Sequence, residues 1–152
     1  MNKILAIFAH PDDEAFGPGG TIALWSQQGK EIHLLCATKG EAGKNHSKND
    51  TAEIRAQELL NSAKILGIKP VTFLNYIDGE IGNNQMVELE KVITKYINEM
   101  KPDTLLTFNL NGVSGHLDHI AVASATTKAF QQSHIPKKNV LFHRIKRHYR
   151  KY

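Results

Sequence analysis

Short apolar segments alternate with amphipathic segments along this sequence, and the alternation restricts the fold more than any other feature. Runs with the length and apolar character of buried strands lie at 3–8, 31–38, 70–77, 103–108 and 139–143. Segments with helical spacing of apolar residues separate them, at 20–29, 50–67, 86–100 and 119–133. Strands connected through helices form parallel sheets with helices on both faces. The sequence therefore predicts a three-layer α/β/α Rossmann-like fold with a mainly parallel sheet of about five strands.

The charge distribution separates a domain from a tail. We expect one domain over residues 1–142 and a basic C-terminal tail over 143–152, because 152 residues suffice for a single core. The tail holds five Lys or Arg residues and no acid, and the preceding residues hold 14 basic against 15 acidic side chains. The net charge of +4 therefore comes from the tail. This pattern is typical of a solvated terminus, and we expect no nucleic-acid partner.

The cellular compartment is indicated by three features. Cys36 is the only cysteine and lies within a strand-like run, which is typical of a buried core thiol and excludes a disulfide within the chain. The first strand is predicted to begin at residue 3, so we expect no signal peptide. No run approaches the roughly 18 apolar residues of a membrane span. We expect a cytoplasmic protein without an integral membrane segment, and the sequence leaves a homo-oligomer open.

Ionisable side chains directly follow two of the predicted strands. The sequence HPDDE occupies residues 10–14 after the first strand, and GHLDH occupies residues 115–119 after the fourth. Ligands of open α/β sheets bind outside the carboxyl ends of the strands. Neighbouring carboxylates repel one another unless a cation holds them. A pair of Asp helix caps is the structural alternative, but two such clusters at two strand ends favour a metal site.

The two clusters together suggest a catalytic metal centre. His10, Asp13 and His119 could meet on one cation as two imidazoles and one carboxylate, with a position left for water. Zinc in such a shell lowers the pKa of its water to about 7. A free carboxylate at Asp12 would accept the proton of that water.

Two further residues of the second cluster could assist the reaction. His116 could donate a proton to a leaving amine or stabilise a tetrahedral oxyanion. Asp118 could orient one of the imidazoles by accepting a hydrogen bond from its non-ligating nitrogen. The residues alone do not decide between the two roles of His116.

Several motifs resemble, in the same order, those of the LmbE-like or PIG-L family of zinc-dependent N-acetylglucosaminyl deacetylases. They are HPDDE (10–14), TKGEAG (38–43), RAQEL (55–59) followed by AKILG (63–67), and GHLDH (115–119). The similarity runs from residue 3 to about residue 143. It implies a hydrolase that removes the N-acetyl group from a small-molecule sugar conjugate containing N-acetylglucosamine. It also implies a Zn²⁺ cofactor, with another divalent metal such as Fe²⁺ as the alternative.

The resemblance also implies roles for single residues. His10, Asp13 and His119 match the zinc ligands of the family. Asp12 matches its general base, and His116 matches the His that assists the tetrahedral intermediate.

Two further positions match residues that contact substrate in the family. Arg55 resembles the substrate-contacting Arg, and Asp78, in the sequence YIDGE, matches a substrate-contacting Asp more loosely. From the residues alone, Arg55 could instead be an exposed helix side chain paired with Glu53 or Glu58.

The sequence departs from the family pattern at two points. Leu117 stands where Pro is commoner, and the chain stops soon after the fifth predicted strand, whereas family members usually continue and build pocket walls there. The aglycone of the substrate therefore stays open. Two other functions fit the same residues: a sugar-binding protein that retains metal with little catalysis, and a non-haem Fe(II) oxygenase, which also uses two His and one carboxylate.

Overall fold

The structure is a computed structural model that describes residues 2–43, 51–135 and 139–143. Its strands are β1 (Lys3–Phe8), β2 (Glu31–Cys36), β3 (Val71–Phe73), β4 (Thr104–Phe108) and β5 (Asn139–His143). Its helices are α1 (Gly19–Gln27), α2 (Thr51–Leu66), α3 (Asn83–Met100), the short α4 (Gly112–Gly115) and α5 (Leu117–Gln132). Apart from His143, which ends β5, the predicted basic tail lies outside the described residues.

The strands form one sheet in the order β3-β2-β1-β4-β5, and every pairing is parallel. The chain first moves outward from β1 to β3 and then returns to β4 and β5. Right-handed crossovers therefore place α1 and α2 on one face and α3 and α5 on the other. The contacts between α1 and α2 and between α3 and α5 agree with this arrangement. The predicted α/β fold class is confirmed.

Strand β1 is the centre of the core. All residues from Ile4 to Phe8 are buried, because helices cover both faces of the sheet. The Phe8 ring packs edge-on against Phe108 of β4, with ring centroids 5.1 Å apart. Cys36 at the end of β2 is a buried free thiol, as expected from its sequence context. The carboxyl ends of β1 and β4 lie side by side where the strand order reverses, so the loops after them start as neighbours.

Two element boundaries differ from the predicted ones by three residues or more. Strand β3 was expected to reach residue 77 but ends at Phe73, because Asn75 adopts a left-handed φ of +61° that interrupts the extended chain. Helix α3 begins at Asn83, three residues earlier than expected. The side-chain oxygen of Gln85 accepts the backbone N–H of Gly82 at 2.9 Å and so caps the additional turn.

The helices of the described part of the chain can be compared with the requirements for a membrane span. None of them combines the length and apolarity that crossing a bilayer requires. The division into a domain and a basic tail, and the cytoplasmic location, stay predictions.

The loops that end α1 and α2 give a matched pair of glycines for a stability experiment. Gly29 and Gly67 have nearly the same left-handed φ, +76° and +75°. A Cβ atom at Gly29 would meet nothing within 4 Å, whereas one at Gly67 would lie 1.9 Å from Ser26 Oγ and 2.7 Å from Ser26 Cβ. The two positions therefore share backbone strain and differ in steric contact.

We predict that Gly67→Ala destabilises the protein more than Gly29→Ala does, as measured by urea unfolding. Gly29→Ala should cost about 1–2 kcal/mol for the left-handed conformation alone. Gly67→Ala should cost about 1–3 kcal/mol more, because the contact with Ser26 cannot be relieved by rotating the hydroxyl. Ser26→Gly should remove most of that excess in the double variant. Equal losses for the two alanine variants would contradict the steric account.

Candidate metal centre and active site

The turn after β1 folds back on itself and brings two side chains together. The backbone N–H of His10 donates to Asp13 Oδ2 at 2.8 Å. Asp12, between them, has a φ of +103°, and its carbonyl accepts the N–H groups of Ala15 and Phe16, both at 2.9 Å. His10 and Asp13 are both buried. The turn thus presents one imidazole and one carboxylate at the carboxyl end of the central strand.

The start of α5 supplies the second half of the site. His116 is the N-cap residue, and its Nδ1 accepts the backbone N–H of Asp118 at 3.2 Å. The buried carboxylate of Asp118 accepts the N–H of Gly79 at 2.8 Å and that of Ile81 at 3.3 Å. His119 follows in the first helical turn. The N-terminus of α5 therefore carries the three polar residues of the GHLDH sequence.

The two halves meet around one point. His10 Nδ1 and His119 Nε2 are 3.2 Å apart. The Asp13 carboxylate lies 3.3 Å from His119 Nε2 through Oδ1 and 3.6 Å from His10 Nδ1 through Oδ2. Ligand atoms at tetrahedral angles around a zinc ion lie about 3.3–3.5 Å from one another. The separation of the two imidazole nitrogens is close to that value, and the Asp13 carboxylate reaches one imidazole through each of its oxygens.

In each imidazole, one nitrogen faces the other imidazole (the inner nitrogen, His10 Nδ1 or His119 Nε2) and one points away from it (the outer nitrogen, His10 Nε2 or His119 Nδ1). The hydrogen-bond partners of the outer nitrogens determine how the inner ones are protonated. His119 Nδ1 lies 3.1 Å from the carbonyl of Gly112, to which it can only donate. The His119 ring also stacks on Phe108, with centroids 4.0 Å apart and planes 5° from parallel. His10 Nε2 lies 3.0 Å from an oxygen of Asp118 and 3.1 Å from one of Asp78. Both rings therefore use their outer nitrogen as a donor and turn the inner one, as an acceptor or ligand, toward the other.

The ionisation of these groups follows from their surroundings. Burial lowers the pKa of the His10 imidazole, but its hydrogen bonds to Asp78 and Asp118 outweigh burial and raise that pKa to about 9. Burial and the adjacent charge of His10 lower the pKa of His119 to about 4. Burial raises the pKa of Asp13 to about 7. Without a metal, the site therefore keeps a proton on His10 where a cation would otherwise sit.

Other combinations of side chains also bring ligand atoms close together among the described residues. His10, His116 and His119 form one group, and His10, Asp78 and Asp118 form another, each with ligand atoms within 4.8 Å of one another. The second group is already engaged through the Nε2–H of His10, which holds the two carboxylates in place. In the first group, Nδ1 of His116 is committed to the cap of α5. Asp13 contacts the inner nitrogens of His10 and His119 through its two oxygens, at 3.6 Å and 3.3 Å, and so forms a third combination with them.

Asp12 faces Arg55 of α2. Arg55 Nη2 lies 3.0 Å from Asp12 Oδ2 and also donates to the carbonyl of Pro11. Burial raises the pKa of Asp12, and the positive charge of Arg55 partly offsets that effect. The structure therefore pairs Arg55 with Asp12 and not with Glu53 or Glu58, the partners that the sequence had left open.

A cavity of about 330 Å³ opens over these groups, within the size range of small-molecule sites. Its lining consists of His10, Asp12, Asp13, Ala42, Gly43, Arg55, Asp78, His116 and His119. Asp118 is the one proposed site residue that does not line it, because that carboxylate is buried behind His10. All eight residues singled out from the sequence therefore lie in the cavity wall or directly behind it.

The structure adds contacts that sequence reasoning did not predict. Glu41 accepts the backbone N–H of Asp78 at 3.2 Å, and Asp78 Oδ2 accepts that of Ala42 at the same distance. The loop 39–43 is thus fastened to the loop after β3. Glu41 lies in the TKGEAG motif, so the motif pointed to this segment without giving the contact.

Residues 5–130 match the PIG-L family, described as GlcNAc-PI de-N-acetylase. A curated relative is the probable N-acetyl-alpha-D-glucosaminyl L-malate deacetylase 2 of Bacillus cereus, 35% identical over 88% of this chain and 62% of the relative. Another is the 1D-myo-inositol 2-acetamido-2-deoxy-alpha-D-glucopyranoside deacetylase of Kineococcus radiotolerans, 31% identical over 84% of this chain and 44% of the relative. The chain spans about half the length of the curated relatives that it matches.

Solved structures show the same fold. N,N'-diacetylchitobiose deacetylase from Pyrococcus horikoshii superposes with a TM-score of 0.80 at 32% identity, over 90% of this chain and 52% of that one. GalB, the 4-carboxy-2-hydroxymuconate hydratase of Pseudomonas putida, superposes with a TM-score of 0.75 at 23% identity, over 86% and 56% of the two chains. The second likeness concerns the fold alone. By its family match over residues 5–130, this chain belongs to the PIG-L (LmbE-like) family.

Proposed function

We propose that this protein is a metal-dependent deacetylase that hydrolyses the acetamido group of a sugar conjugate containing N-acetylglucosamine. One observation carries the proposal: the inner nitrogens of His10 and His119 and the Asp13 carboxylate lie close together in a cavity that the Asp12 carboxylate, paired with Arg55, also lines. The named activities of the relatives support the same reaction class.

The donor set fits a zinc ion. Two imidazole nitrogens and one carboxylate are the ligand types of open, catalytic zinc sites. His10, Asp13 and His119 would hold the ion, and Asp118 and Asp78 would fix the His10 ring through its Nε2–H. When bound, the ion supplies Lewis acidity toward a carbonyl oxygen and toward water. Fe²⁺ can use the same ligands, so the choice of metal stays part of the proposal.

Asp12 has the role of general base. It lines the cavity next to Asp13 but is not one of the three side chains that would hold the metal. Burial raises its pKa, which makes its carboxylate a stronger base. It would take a proton from the attacking water and return it to the amine nitrogen as the amide C–N bond breaks. The products are acetate and the free amino sugar. An oxygenase would have no use for this base, so Asp12 favours hydrolysis over that alternative.

His116 has the role of oxyanion donor. Its Nδ1 accepts the N–H of Asp118, so in the neutral ring the proton lies on Nε2. That N–H can donate to the oxygen of a tetrahedral intermediate without giving up its proton. Of the two roles that the sequence left open, the cap of α5 therefore favours stabilisation of the oxyanion.

Arg55 and Asp78 border the space for the sugar. We propose Arg55 as a substrate contact, because it lines the cavity while holding Asp12. Asp78 has one oxygen on His10 and the other on the Ala42 N–H, and its hydrogen bond to His10 lowers its pKa. These contacts favour a main role for Asp78 in orienting His10, with substrate contact through its remaining lone pairs.

The substrate class is a small N-acetylated sugar conjugate. The aglycones named for the relatives range from malate to inositol, and the structural relative is a diacetylchitobiose deacetylase. We propose to test these three conjugates side by side, with detection of the free amine. Turnover in a metal-loaded sample would distinguish a deacetylase from a sugar-binding protein that retains metal without catalysis.

We predict that His119→Ala sharply lowers bound divalent metal, because it removes one of three ligands. His134→Ala is the matched control, since His134 is exposed just after the C-terminal end of α5 and does not line the cavity. Metal content is measured by elemental analysis of samples loaded with one equivalent of Zn²⁺. Full occupancy in the His119→Ala protein would show that the ligand set is wrong.

We predict that Asp12→Asn keeps the metal and lowers kcat by about 10²–10⁴-fold, the usual effect of removing a general base. The amide keeps the size of the side chain and its bond to Arg55 through the carbonyl oxygen. Kinetics and metal content are measured on the same preparation. Loss of metal from this variant would mean that Asp12, rather than Asp13, is the ligand.

We predict that metal affinity rises with pH up to about 9. The ion must displace the proton on His10, whose pKa is about 9, so affinity should fall about tenfold per pH unit from pH 9 to pH 7. Below pH 7 protonation of Asp13, whose pKa is about 7, should make the decrease steeper. Competition with a chromophoric chelator at fixed pH values measures the affinity.

The control for this pH dependence is Asp118→Asn. This change removes one of the two carboxylates that raise the pKa of His10, so affinity should stop rising at a lower pH than in the unchanged protein. An affinity that does not change between pH 7 and pH 9 would contradict the proposed proton displacement.

A further inference from the structure

Glu14 is a buried carboxylate that the chemistry described above does not use. Only 1% of its surface is exposed, and it does not line the 330 Å³ cavity. Its Oε2 accepts the backbone N–H of Asp12 at 3.0 Å. A buried carboxylate is costly unless its hydrogen bonds offset the loss of water. The bond to Asp12 therefore indicates what this side chain does.

The backbone of Asp12 is held in a conformation that side chains rarely adopt. Its φ of +103° is strained for a residue other than glycine, so the surrounding structure must hold it there. The Asp12 carbonyl is fixed by the N–H groups of Ala15 and Phe16, and its N–H by Glu14. Removing Glu14 would free one of these two anchors. The Asp12 carboxylate is attached directly to the backbone that they hold.

We propose that Glu14 is a positioning residue for the general base, which holds the Asp12 backbone at its strained φ so that the carboxylate faces the cavity. The hydrogen bond is independent of the reaction, but its kinetic consequence rests on the proposed deacetylase function. Glu14 does not line the 330 Å³ cavity, and its recorded hydrogen bond goes to the Asp12 backbone rather than to His10, Asp13 or His119. Its loss should therefore change the rate of the chemical step and leave substrate binding and metal binding in place.

Three variants test this role. Glu14→Ala should lower kcat by about 10–100-fold, the usual effect of a misplaced catalytic group, with KM and zinc content unchanged. Glu14→Gln keeps an acceptor oxygen for the Asp12 N–H and should recover most of the rate. Glu58→Ala is the matched control, because Glu58 is an exposed carboxylate that lines, together with Asp12 and Glu14, a second cavity of about 180 Å³. It should behave as the unchanged protein.

A double-mutant cycle separates positioning from general stability. If Glu14 acts through Asp12, Glu14→Ala should have no further effect on kcat once Asp12→Asn is present. A purely structural role would lower the residual rate of the Asp12→Asn protein by the same factor as in the unchanged protein. That outcome, or an unchanged kcat in Glu14→Ala alone, overturns the proposal.

Amide hydrogen exchange tests the hydrogen bond without any turnover. The Asp12 N–H should exchange slowly in the unchanged protein and in Glu14→Gln, and at least tenfold faster in Glu14→Ala. A fast-exchanging Asp12 amide in the unchanged protein overturns the proposal. Absence of turnover in zinc-loaded protein would overturn the proposed function instead, and the exchange rates would still decide the role of Glu14.

Discussion

Two imidazole nitrogens face each other at 3.2 Å with a carboxylate beside them, and much of the surrounding structure serves to hold them there. Each ring is turned inward because its other nitrogen donates outward, His119 to the carbonyl of Gly112 and His10 to Asp118 and Asp78. Without a cation, such an arrangement is stable only if a proton occupies the centre, which agrees with the raised pKa of His10. The chain thus maintains a place for positive charge in a buried environment.

The sheet topology explains why side chains so distant in sequence can meet. Strands β1 and β4 are neighbours because the chain reverses its direction across the sheet between β3 and β4. Their carboxyl ends therefore direct the turn at 10–14 and the N-terminus of α5 toward one another. The loop after β3 then closes the back of the site through the bonds from Gly79 and Ile81 to Asp118. The hydratase that shares this fold shows that the scaffold itself does not determine the reaction.

The α/β class and the grouping of the six residues in the two strand-end clusters could be predicted from the sequence, because strand periodicity and the positions of charged residues at strand ends are local signals. Arg55 and Asp78 were suggested only by the resemblance to the family. The early end of β3 could not be predicted, because it depends on the left-handed conformation of Asn75, a residue type that also occurs in strands. The partner of Arg55 could not be predicted either, since helical spacing suggests Glu53 or Glu58 and only the tertiary fold brings Asp12 next to it. The roles assigned to the eight residues remain predictions.

The flat stack of His119 on Phe108 connects the site to the hydrophobic core. Phe108 also packs edge-on against Phe8 of the central strand, so the orientation of one candidate ligand depends on two aromatic rings that never touch the cavity. A close-packed core resists gradual displacement. Ions that need a wider or more variable coordination shell would have to move these rings in order to bind. Selectivity among metals would thus depend partly on aromatic packing inside the sheet.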